Sequence, residues 1–163
     1  MDHPEEIPAL EHTTARTLRK EEIDLFLARP LIARMATVRG DQPHIVPVWF
    51  AWDGKYLWVT IDQGSVKYRN LVRNPHCMVA IDESLGGLRF RAVIIEGIVD
   101  LIEQPVDWVL EKVTEVYTRY LGKEGIQAQT PQRMLREGNH VVVKLSPRKI
   151  LSWDDTNAVA PIG

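Results

Sequence analysis

Cysteine is nearly missing from this chain: Cys77 is the only one among 163 residues. A single thiol excludes an internal disulfide and suits a reducing compartment, so the expected location is the cytoplasm. An excess of either charge is missing too. Twenty Lys and Arg stand against 22 Asp and Glu, a formal net charge of −2. Proteins that wrap nucleic acid usually carry a basic excess, so no nucleic-acid partner is expected. No apolar run reaches the roughly 18 residues of a membrane-spanning helix, and no membrane partner is expected. The opening "MDHPEEIPALEHTTARTLRK" lacks the basic and apolar regions of a secretory leader. Repeats and low-complexity tracts are absent as well. What remains, 45% hydrophobic and 26% charged residues, is the composition of one ordinary globular domain.

The pattern along the chain is mainly β. Residues 1–16 are polar, with Pro4 and Pro8, and read as a flexible arm. Thr17 is placed to cap a helix through "LRKEEIDLFLAR", with Leu18, Ile23, Phe26 and Leu27 on one side. Strand character follows at 31–39, 44–52, 56–61, 76–83, 90–103 and 140–154. Pro47 lacks an N–H for a ladder and predicts an edge or a bulge, and "DGK" at 53–55 predicts a hairpin. Gly97 predicts a bend in the long strand, and Pro147 an interruption in the last. Helices are expected at 105–121, opened by Pro105 and closed by Gly122, and at 130–138, capped by Thr130 and closed by Gly138. The fold class expected is mainly β with flanking helices, an antiparallel barrel of about six strands over residues 17–154, followed by a tail at 155–163.

One segment carries chemistry. In "VTIDQGSVKYRNLVRNP", residues 59–75, a strand ends at Thr60 and Ile61, and a helix starts after Gly64 and Ser65. A helix start offers unpaired N–H groups and partial positive charge to an anion. Ser65 can cap or donate, and Lys67, Arg69 and Arg73 add charge. The bland alternative is a capped helix with a solvated cationic face. Elsewhere the signals are weak. His44, His76 and His140 lack metal-ligand spacing, and Cys77 reads as a buried, inert thiol. Trp49, Trp52 and Trp58 cluster near one hairpin and read first as sheet or interface stabilisers, with Trp49 also a candidate ring contact. No catalytic side chain stands out.

Residues 35–82, "MATVRGDQPHIVPVWFAWDGKYLWVTIDQGSVKYRNLVRNPHCMVAID", resemble the core of the pyridoxamine-5′-phosphate-oxidase-like split β-barrel superfamily, whose members include flavin- and deazaflavin (F420)-dependent oxidoreductases. The resemblance implies a split β-barrel and a homodimer with FMN or coenzyme F420 in a groove between subunits. By position, Val46, Pro47 and Val48 match the strand along the isoalloxazine ring, and Thr60 and Ile61 the strand end near phosphate and ribityl chain. Ser65, Val66 and Lys67 match the phosphate segment, and Asn70 a structural position behind it. The implied function is hydride transfer between the bound cofactor and a small organic substrate, which would need no catalytic side chain. The alternative is a non-catalytic flavin-, F420- or haem-binding barrel for storage, sensing or transfer. Two departures argue against a true pyridoxamine-phosphate oxidase. Val46 and Ala51 stand where such oxidases carry Arg and Lys, and the chain ends "SWDDTNAVAPIG" without their Arg-x-His segment. Arg34, Arg89 and Arg91 are left as replacements for the missing phosphate contact, and the substrate is not specified by sequence.

Overall fold

The computed structural model describes residues 16–84, 86 and 90–155. The expected arm and tail lie almost wholly outside these residues. In chain order the elements are α1 (Lys20–Leu27), β1 (Ala33–Arg39), β2 (Gln42–Val48), β3 (Phe50–Trp52), β4 (Leu57–Asp62) and α2 (Val66–Arg73). They continue as β5 (His76–Ser84), β6 (Phe90–Ile102), α3 (Val106–Gly125), α4 (Gln129–Glu137) and β7 (His140–Asp154). One antiparallel sheet holds seven strands in the order β2-β1-β5-β6-β7-β4-β3.

That order explains the shape. β2 and β3 are the two opposite edges of the sheet, yet only Trp49 separates them in the chain. The sheet must therefore curl until its edges nearly meet. The predicted single strand over 44–52 is thus two strands, which makes seven where about six were expected. Pro47 lies in the edge strand β2, where a missing N–H is tolerated.

Alternation directs one face of every strand inward. Met35, Phe50, Leu57, Val59, Val79, Ile81, Val93, Ile95, Val141, Val143 and Leu145 are all fully buried in one cluster, joined by Phe26 and Leu27 of α1. Curling needs a bend in the longest strand pair, and it falls at Gly97. Glu96 faces Lys149 and Gly97 faces Pro147, so Arg148 has no partner on β6. A Cβ at Gly97 would lie 2.2 Å from the Ser146 carbonyl oxygen. Glycine permits this close approach, and Pro147 sits beside the bulge, where a ladder N–H is dispensable.

Three helix boundaries differ from expectation. Arg19, not Thr17, is the N-cap residue of α1, because the Glu22 carboxylate accepts from the Arg19 N–H at 2.8 Å. α3 is capped by Pro105 and breaks at Gly122 (φ 75°, ψ 172°) as expected, but helical backbone resumes to Gly125. α4 begins at Gln129, so Thr130 lies inside its first turn rather than at the cap. α3 covers the outer face of the sheet with Val109 and Val113 on Val142, and α4 buries no residue fully.

Candidate functional site

The gap between the two sheet edges opens into a cleft of about 360 Å3. Ile32, Pro47, Val48, Trp49, Thr60, Lys67, Tyr117 and Met134 line it, from the β2–β3 junction, β4, α2, α3 and α4. The size suits a small organic ligand or cofactor, and most of the wall is apolar or aromatic.

Its aromatic side is rigid. Trp49 stacks on Tyr120 with ring centres 4.8 Å apart and planes 4° from parallel, and meets Tyr117 edge-on at 5.4 Å. The Tyr120 hydroxyl donates to the Leu31 carbonyl at 2.6 Å and accepts from the Phe50 N–H at 3.1 Å, fixing the stack to the strand ends. Burial raises the pKa of the Tyr117 hydroxyl above that of a free phenol, helped by the negative charge of Asp62, so this hydroxyl stays protonated.

Its polar side is the end of β4 and the start of α2. β3 accompanies β4 only as far as the pair Phe50–Val59. On that side the backbone edge of Thr60, Ile61 and Asp62 has no strand partner. Ser65 caps α2, its hydroxyl oxygen accepting from the Tyr68 N–H at 3.2 Å while its own proton stays free to donate. Lys67 lies in the first turn and has no ion-pair partner among the described residues. Arg69 is turned back onto the Gly64 carbonyl at 2.7 Å and stiffens the loop. Asn70 is buried behind it and donates to the Thr37 hydroxyl at 3.0 Å.

Of the eight residues singled out in sequence, the fold brings Pro47, Val48, Thr60 and Lys67 onto the cleft. The other four have different places. Val46 packs against the core, Ile61 is 4% exposed and directs its side chain inward, Ser65 serves as the cap, and Val66 is exposed beside it. Trp49 joins the cleft, whereas Trp52 bonds Asp24 on α1 and Trp58 packs on Trp108 of α3. The tryptophans thus pack within their own chain and do not offer a common interface surface. Of the candidate arginines, Arg34 pairs with Asp82, and Arg91 lies 3.4 Å from Asp154; neither lines the cleft. Arg89 is outside the described residues. Ile32, Tyr117 and Met134 were not legible as site residues, because they reach the cleft only through tertiary packing.

A curled antiparallel sheet with a ligand-sized cleft between its edges defines the class, and comparison supplies the family. Residues 20–154 match the pyridoxamine 5′-phosphate oxidase family, and the chain belongs to it. The chain is 30% identical over 82 residues to the uncharacterized protein RA0666 of Rhizobium meliloti (strain 1021), covering 50% of this chain and 54% of that one. It spans about half the length of that curated relative. Among solved structures it is similar to the conserved hypothetical protein Rv2991 from Mycobacterium tuberculosis, with TM-score 0.72, 24% identity and coverage of 90% and 91%. It is also similar to an F420 reductase, with TM-score 0.61, 28% identity and coverage of 78% of this chain and 94% of that one.

Proposed function

We propose that this chain is an FMN- or F420-binding oxidoreductase whose cofactor lies in the cleft between the sheet edges. The observation that carries the reading is Lys67. An ammonium without an ion-pair partner among the described residues stands beside a helix start and a free strand edge, facing a stacked aromatic wall. A phosphate fits this donor set: Lys67, the Ser65 hydroxyl and the first N–H groups of α2 would hold it. Trp49, Tyr117, Pro47 and Val48 would flank the ring, and Thr60 the chain between ring and phosphate. When bound, the cofactor supplies hydride chemistry, and the protein supplies orientation and exclusion of water. The similarity to an F420 reductase supports this class of reaction.

The chain is not proposed to oxidise pyridoxamine phosphate. Val46 packs into the core and Ala51 is buried, so aliphatic side chains fill the positions where such an oxidase carries cations.

A second copy would cover the cleft from the outer face of the sheet. Ile45, Ala36 and Met78 form one row across β2, β1 and β5, while Ala80, Ile94 and Leu151 form the next across β5, β6 and β7. Ile45 is 65% exposed, Met78 41% and Leu151 43%. A contiguous apolar face of this kind suits a homodimer interface, and it borders the cleft at Pro47.

Mass spectrometry of the small molecule released after expression in an F420-producing host tests the reading. FMN or F420 is expected at close to one per chain, and a protein that neither carries nor takes up either contradicts it. Turnover of the loaded protein with electron-poor acceptors then separates an oxidoreductase from a carrier.

A further inference from the structure

Glu103 follows the last residue of β6 and lies outside the cleft, lining a separate cavity of about 200 Å3 with Gln63 and His140. Both of its oxygens are taken. The Gln63 amide donates to one at 2.9 Å, and the Tyr68 hydroxyl to the other at 2.7 Å. Neither donor is charged, and Glu103 has no ion pair among the described residues. A carboxylate accepting two such bonds holds both donors strongly. The Tyr68 hydroxyl responds: its hydrogen bond to Glu103 raises its pKa, and it remains a donor.

The two donors occupy telling positions. Gln63 and Tyr68 bracket residues 64–67, the segment that carries Ser65 and Lys67. The backbone N–H of Gln63 also donates to the Asn139 carbonyl at 3.0 Å. One carboxylate just past the end of β6 therefore ties down both ends of the loop that enters α2.

We infer that Glu103 is a positioning residue that sets the phosphate seat from behind, acting through Gln63 and Tyr68 without touching the ligand. The inference rests on the cofactor reading given above. As a charge near a phosphate, Glu103 alone would weaken anion binding. It improves binding only if the geometry it imposes on Ser65 and Lys67 outweighs that repulsion, and this gives the test its sign.

Parent, Glu103→Ala, Glu103→Gln and Tyr68→Phe proteins are titrated with FMN and with riboflavin, which lacks the phosphate. Amide exchange is followed at residues 64–69 in the free proteins. Glu103→Ala should weaken FMN binding by about tenfold, and Tyr68→Phe, which removes one bond, by about threefold. Riboflavin should stay within about twofold of the parent in every variant, the scale of a change that touches no phosphate contact. Glu103→Gln keeps one acceptor and should fall between parent and Ala. Exchange at Tyr68 and Arg69, whose N–H groups bond Ser65, should speed up in Glu103→Ala. Tighter or unchanged FMN binding in Glu103→Ala overturns the inference, as does an equal loss of riboflavin or unchanged exchange. The parent is also titrated with F420, and a parent that binds none of FMN, F420 and riboflavin overturns the cofactor reading itself. Exchange in the free protein then decides separately whether Glu103 orders the loop.

Discussion

The cations around α1 and those at the start of α2 differ in what faces them. Around α1, Arg16 reaches Glu22 at 2.9 Å and Asp154 at 3.0 Å, Arg91 reaches Asp154 at 3.4 Å, and Arg29, just past the helix end, pairs with Glu83 at 2.6 Å. Every guanidinium there has a carboxylate, and the Asp154 side chain is 1% exposed. At the start of α2, Lys67 faces an open cleft and no carboxylate pairs with it among the described residues. The first group closes a structure: it fastens Arg16 and the end of β7 to α1 and to the sheet. The second leaves a charge unanswered, which is what a site for an anion requires. Counting cations does not separate the two; the partners do.

The largest expected effect falls on the closed group. Asp154→Ala leaves Arg16 and Arg91 together without the buried carboxylate between them. It should lower stability by roughly 3 kcal/mol in urea denaturation while leaving FMN specificity over riboflavin intact. Next comes the bend that curls the sheet. Gly97→Ala places a methyl group 2.2 Å from backbone oxygen, so β6 and β7 must separate. A loss of about 2 kcal/mol is expected by the same measurement. A Gly97→Ala protein as stable as the parent would mean that the close approach at the bulge does not constrain the curl.

A smaller effect is set by pH. The hydrogen bond from Arg16, helped by the Arg19 N–H, holds the Glu22 carboxyl down at about 2, below its ordinary 4.5. A depressed folded value means that the contribution is complete above 4.5 and disappears as pH falls towards 2. The urea midpoint should therefore decline through that window, and Glu22→Gln should flatten part of the decline. A Glu22→Gln protein with an unchanged slope would detach Glu22 from the acid response. The smallest stability effect belongs to Lys67→Ala, expected within about 0.5 kcal/mol of the parent because no described residue pairs with the ammonium.

Much of the scaffold was legible in the sequence, because local chemistry decided it. Pro47 pointed to an edge or a bulge, Gly97 to a bend and Gly122 to a helix end; the first lies at an edge, the second at the bulge, and the third breaks the helix, which resumes to Gly125. The caps were less legible. Thr17 and Thr130 have the right side chains, yet the Glu22 carboxylate placed the start of α1 at Arg19, and α4 begins at Gln129. The site was half legible. The strand end and the segment from Ser65 to Lys67 are contiguous in the chain, so their pattern shows. Tyr117 and Met134 fall inside the helices expected at 105–121 and 130–138, where nothing in the local pattern marks them as site residues. Only the folding of α3 and α4 over the sheet edge brings them to the cleft. Glu103 could not be singled out, since its partners lie 40 and 35 residues away.

The central claim is that Lys67 and the start of α2 seat the phosphate of a flavin-type cofactor. Its most direct test is one paired fluorescence titration, FMN and riboflavin against parent and Lys67→Ala. A charge-assisted hydrogen bond contributes about 1.5–3 kcal/mol, so Lys67→Ala should weaken FMN binding roughly 10- to 150-fold. Riboflavin affinity should not change. FMN affinity within about twofold of the parent, or an equal loss for riboflavin, would contradict the claim and return Lys67 to a solvated helix face.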